Sequence, residues 1–216
     1  MRQLKDRRMA NLITALEIQN RSKDRVSVFV NNEYAFAVDI SAAIHLKKGE
    51  ELSEPRIEQL KAEDKKNQAY ISAVRFLGFR PRSRVETKRY LQGKGYPPET
   101  ITETVDRLVQ EKYLNDYDFA RFWLRNREQF RPRSAYALRC ELRQKGIDDN
   151  SIDAALVNFD DHTSAWAAVK PKLQHWHNLS DRDLKKKVIG FLNRRGFDFE
   201  TCNRIFDRAL ASIRRS

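Results

Sequence analysis

Cysteine is scarce. Only Cys140 and Cys202 occur in 216 residues, and neither belongs to a Cys-x-x-Cys pair or stands near a histidine cluster, so neither a disulfide framework nor a zinc site is expected. Long apolar runs are missing as well. None approaches the roughly 20 residues that cross a bilayer, and the opening MRQLKDRRMANL has no apolar core of the kind an export signal carries. A cytoplasmic protein without membrane contact is therefore expected. No Ser/His/Asp, Cys/His or paired-carboxylate pattern stands out, so the chain reads as a non-enzyme that needs no cofactor.

Two short motifs fail on their surroundings. Gly93-Lys94-Gly95 suggests a phosphate loop, but that loop requires GxxxxGK[ST] after a buried strand. Here the glycines end an amphipathic segment, where a basic residue followed by glycine is a helix C-cap. His175-Trp176-His177 offers two imidazoles, yet residues two apart on a helix point to different faces, so metal binding is not expected.

What the chain has in excess is positive charge: 42 Lys/Arg against 30 Asp/Glu, a net charge of +12. Residues 1–66 hold 13 basic and 11 acidic side chains and residues 67–216 hold 29 and 19, so the later part carries +10 of the +12. Such a field favours polyanions. With 33% charged and 40% hydrophobic residues, 12 of them Phe, the composition suits a folded helical chain with much exposed surface and small cores.

Residues 12–38 alternate apolar and polar side chains in three runs, Leu12 to Ile18, Val26 to Val30 and Tyr34 to Val38, with Asn31-Asn32 at a tight hairpin. A three-stranded meander this small must pack on a helix, either around Ile40 to Leu46 or after Pro55. From Ser53 the pattern is helical to the end. The run Arg56 to Leu77 reads as one long helix or two, and polar Lys61 to Asn67 reads as a solvated linker.

The organising feature is a repeat. Gly95, Gly146 and Gly196 lie 51 and 50 residues apart. Four residues before each is Leu91, Leu142 or Leu192; eight before is Thr87, Leu138 or Val188. One after is Tyr96, Ile147 or Phe197; six after is Ile101, Ile152 or Cys202; ten after is Val105, Leu156 or Phe206. Each unit reads as an amphipathic helix, a glycine stop and a second amphipathic helix. A further helix precedes each pair: Gln68 to Leu77, Asp118 to Arg127 with Asn115 or Asp116 as its cap, and Ser164 to about Trp176. The expected fold is mainly α: three tandem three-helix repeats in an elongated, curved array, with a small N-terminal β-hairpin or meander segment. The domains fall at 1–66, 67–115, 116–162 and 163–216.

Basic side chains recur in all three repeats and form the candidate nucleic-acid or filament-binding set: Arg82, Arg84, Lys88 and Arg89; Arg131, Arg133, Arg139 and Arg143; Lys185, Lys186, Lys187, Arg194 and Arg195. A run of charge is commonly just a solvated helix face, but recurrence along a repeat array favours a shared partner, since neutralising phosphates needs number and spacing of cations.

The stretch LQGKGYPPETITETVDRLVQEKYLNDYDFARFWLRNR, residues 91–127, resembles the signature of the RecX regulatory proteins. It shows the Lys94-Gly95-Tyr96 corner, the Tyr113-Leu114-Asn115-Asp116 turn and Phe119-Ala120 opening the next helix. Pro81-Arg82-Ser83 with Glu86, and Glu141-Leu142 with Lys145-Gly146-Ile147, extend the likeness, which continues more weakly to about residue 210. The third repeat departs with Phe197, Cys202 and the triple lysine. The resemblance implies a modulator of DNA repair, recombination and the SOS response, and a monomer is expected. Such a modulator binds the RecA filament on single-stranded DNA, lowers its ATPase and strand exchange, promotes its loss, and contacts DNA, double-stranded as well as single-stranded. Two other readings predict different behaviour. A helix-turn-helix DNA reader shows sequence preference, although Glu99 and Asp149 sit where its second helices would meet phosphates. A helical scaffold for protein alone binds without salt dependence.

Overall fold

A computed structural model describes residues 10–20 and 22–215. Residues 1–9, which include most of the opening read for an export signal, lie outside them, as does Ser216 of the third repeat. The described chain forms two compact units, one made of residues up to Phe76 with Tyr90–Leu108, the other of Leu77–Arg89 with Val109 onward.

The first unit begins with β1 (Asn11–Gln19), β2 (Ser22–Val30) and β3 (Glu33–Asp39), which form the expected antiparallel meander. Asn31 and Asn32 turn the hairpin at φ 53° and 69°, the left-handed pair that matches strand twist in a two-residue turn. The sheet has one strand more than the periodicity shows: β4 (Glu51–Leu52) pairs with β1, giving the order β3-β2-β1-β4. Two residues are too few to display an alternation. Val26 faces Val38 and Val28 faces Phe36 across the strands. This inner face packs with Leu46, Leu52, Ile57 and Leu60, so the short α1 (Ile40–Ala43) and the segment after Pro55 both contribute to its cover.

The linker reading of Lys61 to Asn67 is wrong. α2 runs unbroken from Glu54 to Phe79. The polar stretch has a partner: buried Asp64 accepts from Arg25 Nη1 at 3.0 Å and Nη2 at 2.8 Å, and from Gln68. A bidentate pair between β2 and α2 fixes sheet to helix, which is why a segment without apolar periodicity is ordered. Further along α2, Tyr90 stacks on Phe76 at 4.1 Å and Arg107 lies 3.8 Å over Tyr70.

The three repeats follow the expected register. In the first, α3 (Arg84–Gly93) and α4 (Pro98–Gln110) follow the end of α2. In the second, α5 (Asp116–Phe130) precedes α6 (Ala135–Gln144) and α7 (Asp149–Leu156). In the third, α8 (Asp161–Val169) and α9 (Leu173–Trp176) precede α10 (Asp181–Asn193) and α11 (Phe199–Arg214). Leu91, Leu142 and Leu192 are each 0% exposed. Their carbonyls accept from Tyr96, Ile147 and Phe197, while Gly95, Gly146 and Gly196 sit at φ 82°, 78° and 86°. That bond, from the residue after the glycine back over five residues, is the Schellman motif, and the apolar residue that donates it covers the helix end.

The third repeat is the least regular. Its first helix is not one piece to Trp176, because Pro171 lacks an amide hydrogen and its ring clashes with the preceding turn. A 3-10 turn at Lys170–Lys172 separates α8 from α9. α10 has 13 residues where α3 and α6 have 10. Cys202 belongs to its core, and burial pushes the thiol pKa up to about 11.

Candidate nucleic-acid interface

The basic side chains are positioned by a device built into the second unit. The pentapeptide Phe-Arg-Pro-Arg-Ser occurs at 79–83 and again at 130–134, 51 residues later. Its serine caps the following helix, since Ser83 Oγ accepts from Glu86 N and Ser134 Oγ from Ala137 N, both at 3.1 Å. The same hydroxyls donate to the glycine corner of the next repeat, Ser83 to Lys145 O and Ser134 to Gly196 O, both at 2.7 Å. The next amide donates to a carboxylate opening the next repeat's first helix: Arg84 N to Asp116 Oδ1 at 3.0 Å, and Ala135 N to Asp161 Oδ1 at 2.7 Å. Each helix start is thus joined to the next repeat by two bonds, a serine hydroxyl to the corner and a backbone amide to a carboxylate, the corner acceptor being the residue before the glycine in one copy and the glycine itself in the other. The corner glycines are part of the contact. A Cβ on Gly146 would meet Val85 Cγ2 at 2.3 Å, and one on Gly196 would meet Ser134 Oγ at 2.7 Å, whereas one on Gly95 would meet nothing within 4 Å.

Burial raises the pKa of both Asp116 and Asp161, against the pull of the backbone donors. With a folded-state value above the unfolded one, their contribution to stability is complete below the unfolded pKa and is lost as pH rises through the folded pKa. The helix-capping carboxylates Asp148, Asp160 and Asp198 shift the other way, lowered by hydrogen bonds from Ser151, Thr163 and Thr201. Their contribution is present above the unfolded pKa and lost as pH falls through the folded one. Asp161→Ala, which leaves the Ala135 amide without its acceptor, should cost about 1–3 kcal/mol. Asp161→Asn keeps an acceptor and sheds a buried charge, offsetting its lost attraction to the helix N-terminus of about 0.3–1 kcal/mol. Urea denaturation at neutral pH should therefore find Asn close to wild type. Equal losses from both changes would assign the role to the charge and not to the hydrogen bond.

The thirteen candidate cations separate by partner. Arg84 pairs with Asp116 at 3.6 Å, Arg133 with Glu141 at 2.9 Å, Arg143 with Asp149 at 2.7 Å, and Arg139 with Asp153. Arg82 is half-buried near Arg80 and Glu86. Lys88, Arg89, Arg131, Lys185, Lys186, Lys187, Arg194 and Arg195 form no ion pair among the described residues. The three lysines are exposed on α10, off its buried stripe of Leu184, Val188 and Leu192, and Lys185 Nζ lies 5.5 Å from the Phe206 ring centroid.

The two junctions differ in charge. At the first, Glu86 takes both Nη atoms of Arg80 at 3.1 Å and Lys145 Nζ at 2.7 Å. At the second, the residue in the place of Glu86 is Ala137 and the counterpart of Lys145 is Arg195, so the acid is gone and the cations remain. Arg195 lies 3.7 Å over the Phe191 ring. Burial, with Arg131, Arg133 and Arg194 nearby, lowers its pKa below the usual arginine value. Sequence reasoning picked out these arginines singly and missed the duplicated pentapeptide, although its 51-residue spacing was the available signal.

The remaining features offer little chemistry. Asn115 caps α5, accepting from the amides of Tyr117 and Asp118, with Phe119 buried and Trp123 donating to Glu141 at 2.8 Å. Among the described residues no group of three or more His, Cys, Asp or Glu side chains is placed to hold a metal, and no helix is long and apolar enough to cross a membrane.

Four family models match the chain in order: the RecX N-terminal domain at residues 11–53, and the first, second and third RecX three-helix domains at 69–108, 115–156 and 163–206. The chain is 33% identical to the regulatory protein RecX of Bacillus subtilis over 201 residues, 91% of this chain and 76% of that protein. It is 32% identical to that of Bacillus pumilus over 203 residues, 92% and 76%. A crystal structure of a regulatory protein RecX superposes with a TM-score of 0.70 at 26% identity, covering 91% of this chain and 99% of the other.

Proposed function

This chain belongs to the RecX family, and from that premise we propose that it binds the RecA filament on single-stranded DNA and lowers its ATPase and strand exchange without catalysing a reaction itself. The observation that carries this reading is the recurrence of cations without acidic partners in each repeat, Lys88 and Arg89 on α3, Arg131 ahead of α6, and Lys185 to Lys187 with Arg194 and Arg195 at α10. Cations held in internal ion pairs are already neutralised; these remain available to a polyanion. Base reading by the last helix of each repeat fits less well, since α4, α7 and α11 carry Glu99, Asp149 and Glu200 in their first turns, where phosphates would be repelled. Partner and regulatory role together place the protein in the cytoplasm, in DNA repair and the SOS response.

ATP hydrolysis by RecA on single-stranded DNA tests the proposal. Inhibition at well below one molecule per RecA protomer is expected, and unchanged hydrolysis at equimolar protein would end it. Reversal of the exposed lysines, K185E/K186E/K187E, leaves the buried face of α10 intact and should preserve helicity while raising the concentration needed for half-inhibition about tenfold, as the loss of phosphate contacts requires. A folded triple variant that inhibits like wild type at both low and moderate salt would remove these lysines from the mechanism.

A further inference from the structure

We propose that the junction between the second and third repeats is a binding site for single-stranded nucleic acid, in which Arg131, Arg194 and Arg195 hold the phosphate backbone and Phe130 stacks on a base. The identity of the strand as the one inside a RecA filament rests on the function proposed above; the site itself does not.

The geometry comes first. Ser134 binds the third corner through two bonds, its amide to Arg195 O at 3.1 Å and its hydroxyl to Gly196 O at 2.7 Å. These bring the 130–134 segment and the Arg194-Arg195 end of α10 together. Arg133 is engaged by Glu141 at 2.9 Å, but Arg131, Arg194 and Arg195 have no carboxylate partner among the described residues. The Arg195 guanidinium carbon also lies 3.7 Å from the Phe191 ring centroid. Gathering like charges around half-buried Arg195 is unfavourable unless an anion joins them, and guanidinium groups match phosphate oxygens two at a time.

The chain supplies its own control. The first junction has the same pentapeptide and a serine hydroxyl bonded to the corner, from Ser83 to Lys145 O, but there Glu86 pairs with both Arg80 and Lys145. Position 137 holds Ala in the second copy, so the positive cluster is particular to one junction and does not follow from the repeat alone.

The adjacent side chain indicates what kind of anion. Phe130 is 70% exposed and directly precedes Arg131. An apolar ring beside arginines suits a ligand with an aromatic face next to each phosphate, and base stacking on such a ring is sequence-tolerant. In a duplex the bases already stack on one another, so the ring favours a single strand.

The test uses the full chain and a fluorescein-labelled 15-nucleotide oligothymidylate, read by anisotropy across a salt series. R131A/R194A should weaken binding at least tenfold and reduce the slope of log affinity against log salt by about 1.4, at about 0.7 per single-strand phosphate contact. F130A should weaken it about tenfold with the slope unchanged, and should alter duplex binding less. R80A, at the junction where Glu86 pairs with the cations, should behave as wild type. Folded R131A/R194A protein with unchanged affinity and slope overturns the site, as does a wild type that fails to bind the oligonucleotide at low salt. Variants that lose inhibition of RecA while binding the oligonucleotide normally also overturn it, because the junction then meets an acidic protein surface. If the oligonucleotide results hold but wild-type protein leaves RecA hydrolysis unchanged, the site stands and the filament reading falls.

Discussion

Gly146→Ala should destabilise the chain by about 2–5 kcal/mol, against about 1–2 kcal/mol for Gly95→Ala. Both glycines have left-handed backbones, at φ 78° and 82°, and alanine there costs about 1–2 kcal/mol. Only Gly146 also faces another element, Val85 at the start of α3. Forcing a methyl into that contact adds about 1–3 kcal/mol. Val85→Ala on the Gly146→Ala background should recover part of the loss, since it removes the Cγ2 contact at 2.3 Å and leaves the Cβ contact at 2.7 Å. Urea denaturation distinguishes the cases. Equal losses at the two glycines would mean that the corner serves only to end its helix and has no part in joining repeats.

The second large effect is expected at the core. Leu142→Ala should cost about 2–5 kcal/mol, the range for emptying a closely packed leucine site. Leu142 is fully buried among Phe119, Leu124, Leu138, Ile147, Ile152 and Leu156, and Leu91 and Leu192 hold the matching positions. Val157, exposed one residue past α7, is the control and should tolerate alanine within about 0.5 kcal/mol. Thermal midpoints unmoved by alanine at all three leucines would mean that the repeat register is wrong.

The register was legible because periodic glycines and leucines carry two independent signals: a left-handed backbone that only glycine adopts easily, and a helical stripe that must be buried. The residue after each glycine and those six and ten beyond it joined the cores as their types suggest, with Tyr96 half-buried while Ile147 and Phe197 are buried. Local pattern failed where structure is set by distant partners. Asp64 made Lys61 to Asn67 look solvated, because Arg25 lies 39 positions earlier. β4 is too short for a period, and Pro171 marked a break inside a run that was otherwise helical by composition. For the candidate interface, sequence supplied the cations but not their neutralisation. Arg139 and Arg143 count equally with Arg131 and Arg194 in a list of charges, yet the first two face Asp153 and Asp149.

The measurement that bears most directly on the account is the salt dependence of association with preassembled RecA filaments on oligothymidylate, followed by co-sedimentation with filament-free RecA and free protein as references. Association through unneutralised cations predicts binding at low salt whose log affinity falls linearly with log salt as counterions are released. The protein should sediment with filaments and not with RecA alone. Absence of co-sedimentation at low salt, or filament binding that is indifferent to salt, would contradict it.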